Sequence, residues 1–483
     1  MTLDSLPVRY LAALLVACVL AGCATVGPDY RRPEVELPAT FAGQAGSNDA
    51  SVIPTAWWTL YDDPVLTELV AATLRNNVDL ARAAAQIEEA EALLAEVGSN
   101  LLPELDLTAG ASRARSSTRN AQQLPPGTPL ITNARRVAIS TSFEIDFWGK
   151  FRRAAEGARA QLIATRYGRD VVALTLVATT VQAYFTARSL DAQIAVTRDI
   201  LTSRDDALTV AGNRARGGLA SDLDVNQAQG ARADAALQLA ELQRQRAQVE
   251  HQLGTLTGNL DLALAPGDLA RLPVPATPPP GLPSSLVERR PDVHQAEEAV
   301  VSANAQIGVA RAAELPTFSL TGSLGLQSSA LGNLLRAGAQ TWSIGPSLVF
   351  PILDAGKYAA RTRQAEARHR QAVAAYAKAL ETAYREVSDA LTNLHQARAS
   401  VPELSRKVEA ARNALRLSRL RYEAGYAPFL DVLDAQRTQN AAELALVQNR
   451  QAQLVYSVDL MRALGGGWNA RDADAARNAS LRP

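Results

Sequence analysis

Two stretches of the chain alternate apolar and polar residues with a period of two. Leu105, Leu107, Ala109 and Ala111 are interleaved with Glu104, Asp106, Thr108 and Gly110; Val137, Ile139, Thr141, Phe143, Ile145 and Phe147 are interleaved with Ala138, Ser140, Ser142, Glu144 and Asp146. The pattern returns with Phe318, Leu320, Leu324 and Leu326, and again with Trp342, Ile344, Leu348, Phe350 and Ile352, set against small residues such as Ser319, Thr321, Ser323, Ser343 and Ser347. Period two predicts strands, about 103–117, 136–148, 316–327 and 341–353, each with one apolar face. Between the first two, Arg119 to Arg135 is rich in Asn, Gln, Pro and Gly and reads as an exposed loop. A membrane strand needs about 9–11 residues and the smallest barrels about 8 strands. Four strands cannot close a barrel, so several chains must pool their hairpins, and the residues leave open whether two or three do.

Elsewhere the apolar period lengthens to that of a helix. One helix is expected from about Pro64 to Ser99, punctuated at Asn76-Asn77 and stopped by Pro103. No proline interrupts Gly149 to Gly217, and the corresponding stretch from Gly356 to Ala424 is expected to run on in the same way; each is 69 residues, about 100 Å as a helix. The return helix from Asp222 to about Leu256 carries apolar or Ala residues at 228, 235, 239, 242, 249, 253 and 256, a coiled-coil seam interrupted by Arg232 and Arg246. A second seam through Leu223, Ala233, Leu237 and Ala240 gives it neighbours on two sides, as a stave in a helical cylinder has. It spans about half of its partner, and the helix 79–99 is expected to supply much of the rest end to end. Val171 to Ala187 holds no charge, yet it is short for a membrane span and its twin from Lys378 to Leu394 contains Glu381, Arg385, Glu386 and Asp389.

That twin belongs to an internal duplication. A constant offset of 207 pairs Phe143 with Phe350, Gly149-Lys150 with Gly356-Lys357, Arg214 with Arg421, Gly218 with Gly425, Leu223-Asp224-Val225 with Leu430-Asp431-Val432, and Gly258 with Gly465. Upstream the offset is 213, pairing Asp79 with Asp292 and Pro103 with Pro316, so the second copy is six residues shorter between these blocks. The fold class is therefore mainly α with a small β part: a duplicated helix-hairpin repeat, long coiled-coil helices forming an α-barrel, and four strands per chain contributed to a shared transmembrane β-barrel.

Composition narrows the chemistry. Lys plus Arg equals Asp plus Glu at 49 each, so no net field recruits nucleic acid. The only cysteines are Cys18 and Cys23, which excludes a disulfide or Cys-based metal site in the rest of the chain. His251, His294, His369 and His395 lack metal-ligand spacing and read as solvated or interface residues, and Gly465-Gly466-Gly467 ends a helix rather than opening one, so it is no phosphate loop. No catalytic constellation, cofactor site or metal site is found. Tyr10 to Ala21 is an apolar run after Arg9, too short to span a membrane, and reads as a secretory signal.

Leu20-Ala21-Gly22-Cys23 resembles a bacterial lipobox, which implies cleavage before Cys23 and a diacylglycerol and acyl chain on it; Ala24 in the next position implies the outer membrane. Gly27-Pro28-Asp29-Tyr30, Trp57-Trp58, Tyr61-Asp62-Asp63-Pro64, Phe147-Trp148-Gly149, Arg289-Arg290-Pro291-Asp292, Ala303-Asn304-Ala305, Leu433-Asp434-Ala435-Gln436-Arg437 and Leu464-Gly465-Gly466-Gly467-Trp468 together resemble the TolC-like outer-membrane factors of tripartite efflux systems, of the NodT type. One departure is Glu314-Leu315-Pro316, where an aromatic pair is usual. The resemblance implies a homotrimer in outer-membrane lipid, working with a periplasmic adaptor and an inner-membrane transporter of the resistance-nodulation-division type, as a passive trans-periplasmic duct for small molecules such as drugs. The alternatives are a type I protein-secretion channel and a pore-less periplasmic coiled-coil scaffold.

The resemblance also places adaptor docking at the hairpin tips, Gly218, Leu219 and Ala220 with Gly425, Tyr426 and Ala427, and the closed constriction nearby. There Leu430 is expected as an apolar collar, Asp431 and Asp434 as rings of like charge, and Tyr422 and Arg421 as links between neighbouring helices; Asp224 and Asp431 both fall in the first turn of a return helix, where capping alone explains them as well. The expected segments are a signal peptide (1–22), a lipid-anchored extended segment (23–62), a first repeat (63–262), an extended, stiff Pro-rich linker (263–283), a second repeat (284–470) and a flexible tail (471–483).

Overall fold

A computed structural model describes residues 25–41, 53–117, 119, 127, 129–278 and 289–468. The signal segment, Cys23 and the tail 471–483 lie outside these. Along the chain run α1 (Pro64–Asn76), α2 (Val78–Ser99), β1 (Asp106–Arg115), β2 (Ile131–Ile145), α3 (Lys150–Arg216), α4 (Asp222–Thr257), α5 (Pro291–Ala312), β3 (Thr317–Ser328), β4 (Gln340–Val349), α6 (Lys357–Ala399), α7 (Val401–Glu423) and α8 (Phe429–Ala463), with short 3-10 turns at Trp57–Tyr61, Leu269–Arg271 and Leu331–Asn333. They fall into two compact units. One comprises Met1–Pro33, Ile87–Ala164 and Ala296–Tyr376, and the other Glu34–Gln86, Thr165–Gln295 and Ala377–Pro483.

The first unit holds one antiparallel sheet in the order β1-β2-β3-β4. Its register puts Leu107 opposite Ile139, Ile139 opposite Leu324, and Leu324 opposite Trp342, so one apolar row crosses all four strands. These side chains are 73%, 50%, 64% and 75% exposed. The apolar row is thus left exposed rather than packed on a core, unlike the apolar face of a water-soluble sheet. On the other face Ser323 and Ser343 share a hydrogen bond of 2.9 Å. Among the described residues β1 and β4 each end the sheet with an unpaired edge. The expected loop from Arg119 to Arg135 needs correction at its end: β2 begins at Ile131, because Arg115 and Arg113 continue the ladder onto Ile131 and Asn133. Pairing there outweighs a polar composition that suggests a loop.

In the second unit the uncharged stretch of α3 is core. Val177, Val181, Tyr184 and Phe185 are buried with Trp57, Tyr61, Leu66, Val70, Leu253 and Met461. Tyr61 Oη and Ser457 Oγ lie 2.7 Å apart, and the Asp63 side chain accepts from Val65 N and Leu66 N as the cap of α1. The Asn76-Asn77 punctuation meets the end of α4: Asn76 Nδ2 donates to Thr257 O at 3.1 Å and Asn77 Nδ2 to Leu256 O at 3.0 Å. In the second copy Arg290 Nη1 donates to Ala463 O at 3.0 Å, and its guanidinium is held by Asp292 at 2.7 Å and Glu386 at 2.8 Å.

Two expectations about the helices change, and the linker gains anchors. The stretch from Gly356 to Ala424 is not one helix: α6 ends at Ala399 and α7 starts at Val401, since Pro402, which replaces Ala195 of the first copy, lacks an N–H and crowds the preceding turn. Asn449 Nδ2 donates to the Ala397 carbonyl beside this break. Arg246 does not interrupt the α4 seam; it is buried within it, bonded to Asp191 at 2.9 Å, Glu250 at 3.0 Å and Leu264 O at 2.6 Å. The same Asp191, with Arg188, grips the linker at Gly267 N and Ala265 O, and Leu264, Leu269 and Leu272 join the core. Residues 263–278 of the extended linker are therefore held down by these contacts. Along α4, Ala228, Ala235, Leu242 and Leu253 are buried, whereas Leu223 and Leu237 of the second seam stay exposed.

Candidate functional site

Both hairpins end in the same turn. Leu219 N donates to Arg214 O and Tyr426 N to Arg421 O, each at 2.8 Å, closing six-residue C-terminal loops. Gly218 and Gly425 supply the left-handed residue, at φ 71° and 80°, that a side chain would strain. Leu219 and Tyr426, equivalent in the two copies, stand exposed at the tips, with Ala220 and Ala427 half-buried beside them.

The return helices start differently. Ser221 and Asp224 form a reciprocal capping box on α4. At α8 the cap is Pro428, without a side-chain bond, and Asp431 lies in the first turn. Leu430, Asp431 and Asp434 are exposed on one side of α8, while Val432, Leu433 and Gln436 are buried. Among the described residues the Asp431 and Asp434 carboxylates have no hydrogen-bond or ion-pair partner. Capping thus accounts for Asp224, whereas Asp431 keeps only its place at the positive end of α8 and Asp434 lies beyond the first turn.

Below the tips the two hairpins pack through Ala211, Ala228, Leu415, Tyr422, Phe429, Val432 and Leu433. The Tyr422 ring meets Phe429 at 5.2 Å and lies under the Arg214 guanidinium at 4.8 Å. Arg214 Nη1 also donates to Glu423 O at 3.4 Å. Burial raises the Tyr422 pKa, Arg214 opposes this, and Asp224 adds to it; the hydroxyl itself is buried and, among the described residues, without a partner. Arg421 is exposed, and its twin Arg214 makes the stack. The duplication showed Arg214 to be equivalent to Arg421, but sequence spacing gave no sign that Arg214 reaches Tyr422.

Residues 25–32 form a strap on the first unit. Val26 N donates to Trp148 O at 3.0 Å, at the foot of β2. Gly27, at φ 105°, lies against Gly308 so closely that a Cβ would sit 2.5 Å from the Gly308 Cα. Asn304 Nδ2 donates to Pro28 O at 2.8 Å, Asp29 pairs with Arg153 at 2.6 Å, and Tyr30 and Arg32 both bond Glu297, at 2.9 and 2.7 Å. Burial, with the Glu297 charge beside it, drives the Tyr30 phenol well above its ordinary range. In the second unit the rings of His294, Tyr167 and Trp468 form a triangle, His294 at 5.2 Å from each of the others and these 5.9 Å apart, and Trp468 Nε1 donates to Asp170 at 3.1 Å. No metal-ligating group of three or more His, Cys, Asp or Glu exists among the described residues.

The family model for outer membrane efflux proteins matches residues 69–259 and 282–466. The chain is 33% identical to the outer membrane protein OprJ of Pseudomonas aeruginosa over 469 residues, covering 96% of this chain and 97% of OprJ. It is 28% identical to the probable outer membrane lipoprotein SilC of Salmonella typhimurium, covering 93% and 97%. A solved structure of the outer-membrane channel OprN superposes with a TM-score of 0.84 at 30% identity, covering 92% of this chain and 100% of that one. The chain belongs to the outer membrane efflux protein family, the TolC-like channel components of efflux systems in the outer membrane.

Proposed function

We propose that three copies of this chain pool their sheets into one twelve-stranded membrane barrel, continued into the periplasm by their helical hairpins, and that the assembly is the passive exit duct of a tripartite pump. The observation that carries this is the sheet, with its apolar row facing outward and both edges bare. Lipid tolerates no unpaired backbone edge, so β1 and β4 must each meet another copy. Two copies would give eight strands, an interior that side chains fill; three leave a lumen. The exposed second seam of α4 offers the matching contact between copies.

The strap supports Cys23 as the lipid attachment site, because Thr25, two residues on, lies at the foot of β2 beside Gly149. Asp431 and Asp434, free of capping and exposed beside Leu430, are the residues proposed to narrow the periplasmic mouth. The tip residues Leu219, Ala220, Tyr426 and Ala427 are proposed to receive the adaptor, which links the duct to an inner-membrane transporter. The test is conductance of the purified protein in a planar bilayer; a protein that inserts and never conducts would overturn the duct, and a mature start other than an acylated Cys23 would overturn the anchor.

A further inference from the structure

Arg204 on α3 is only 7% exposed, and among the described residues its sole hydrogen-bond partner is the Gln436 side chain of α8, with no carboxylate paired to it. Burial and the neighbouring guanidiniums of Arg419 and Arg437 lower its pKa, with Asp234 opposing weakly. A buried cation is ordinarily matched by an anion. The duplication shows that the helices do not need one here: the equivalent residue is Ala411, itself buried.

Arg204 lines a cavity of about 490 Å³ between α3, α7 and α8. Ser203, Arg419 and Asn440 contribute polar groups to its wall, and Ile200, Val408 and Leu446 an apolar side. Arg419 Nη2 donates to Ser203 Oγ at 2.5 Å, which holds the second guanidinium next to the first. The acids on the wall are Glu443, already bonded to Arg412 at 2.8 Å, and Asp199, exposed and unpaired with Arg204. Guanidinium forks match planar oxyanions, and a volume of this size suits a small organic molecule.

From this cavity we infer that the wall between the hairpins carries a binding site for a small organic anion, with a carboxylate or similar oxyanion head on Arg204 and Arg419 and an apolar body against Ile200, Val408 and Leu446. Such a ligand ties α3 to α7 and α8, the elements that carry the residues proposed for the gate. The site itself is independent of that reading.

The experiment is equilibrium dialysis of the purified full-length protein with radiolabelled benzoate at constant ionic strength, with benzamide as the neutral probe of the same shape. Saturable binding of one benzoate per chain, with benzamide at least about tenfold weaker, is expected. Arg204→Gln and Arg419→Ala should each weaken benzoate by a similar factor. Arg419 is exposed, so its variant folds and decides the matter even if Arg204→Gln does not. Equal retention of the two probes, or wild-type benzoate affinity in Arg419→Ala, overturns the site. Neither result touches conductance, so failure here leaves the duct standing.

Discussion

At the joint where α4 ends, Asn77 donates an amide hydrogen to the Leu256 carbonyl; at the equivalent joint where α8 ends, Arg290 donates to Ala463. Position and purpose are the same, but the first copy uses a neutral donor and the second a buried charge that needs Asp292 and Glu386 to neutralise it. The hairpin starts diverge in the same way. Ser221 and Asp224 cap each other's backbone in the first copy, while Pro428 stands in the second and leaves Asp431 and Asp434 unengaged. Duplication preserved the backbone and freed one copy's side chains for other work.

The joints give the largest expected effect. Arg290→Ala strands two carboxylates and a carbonyl, and should cost about 3 kcal/mol, the low end for breaking a buried pair, because Asp292 and Glu386 keep 34% and 29% of their side-chain surface. Asn77→Ala removes two neutral bonds, the one to the Leu256 carbonyl and the one its Oδ1 accepts from Asp79 N, and should cost about 2 kcal/mol. Thermal unfolding of both variants in detergent checks the order, and equal losses would erase the distinction. At the tips, Tyr422→Ala should cost about 3 kcal/mol by emptying the space under Arg214, yet Tyr422→Phe should leave Tm unchanged or higher, because the hydroxyl it removes has no partner. A drop of several degrees in the phenylalanine variant would reveal a partner in the assembly.

Asp224→Ala should lower stability by about 1 kcal/mol through the lost capping box and leave conductance alone. Asp431→Ala with Asp434→Ala should do the opposite, raising single-channel conductance and weakening cation preference at constant Tm. The reverse outcome would move the constriction to the first copy. Bulky residues at Ala220 and Ala427 should have the smallest effect on the protein itself, with assembly unchanged and only crosslinking to the adaptor reduced.

The strands were legible because alternation is a local signal, written residue by residue from Leu105 and Val137 onward. The start of β2 was not, since Ile131 to Arg135 joins the sheet through its partners Ala111 to Arg115 and not through its own pattern. Asn76-Asn77 announced a helix break, but no local rule says that these amides will meet carbonyls some 180 positions away. Arg246 looked like a flaw in a seam because its acid, Asp191, lies on another helix. The stack of Arg214 on Tyr422 and the pairing of Arg204 with Gln436 were hidden for the same reason. Pro402 is different: it was plain in the chain, and the symmetry of the repeats overrode it.

Two bare strand edges and an outward apolar row leave a newly made chain no stable resting place alone, in water or in lipid. Folding and insertion must then be a single concentration-dependent event, and one faulty copy spoils the ring it enters. With three copies per channel, as proposed, a chain whose β4 cannot pair, made alongside the intact one, should deplete working channels with the cube of the intact fraction, so that only a small minority survive when half of the protein is defective.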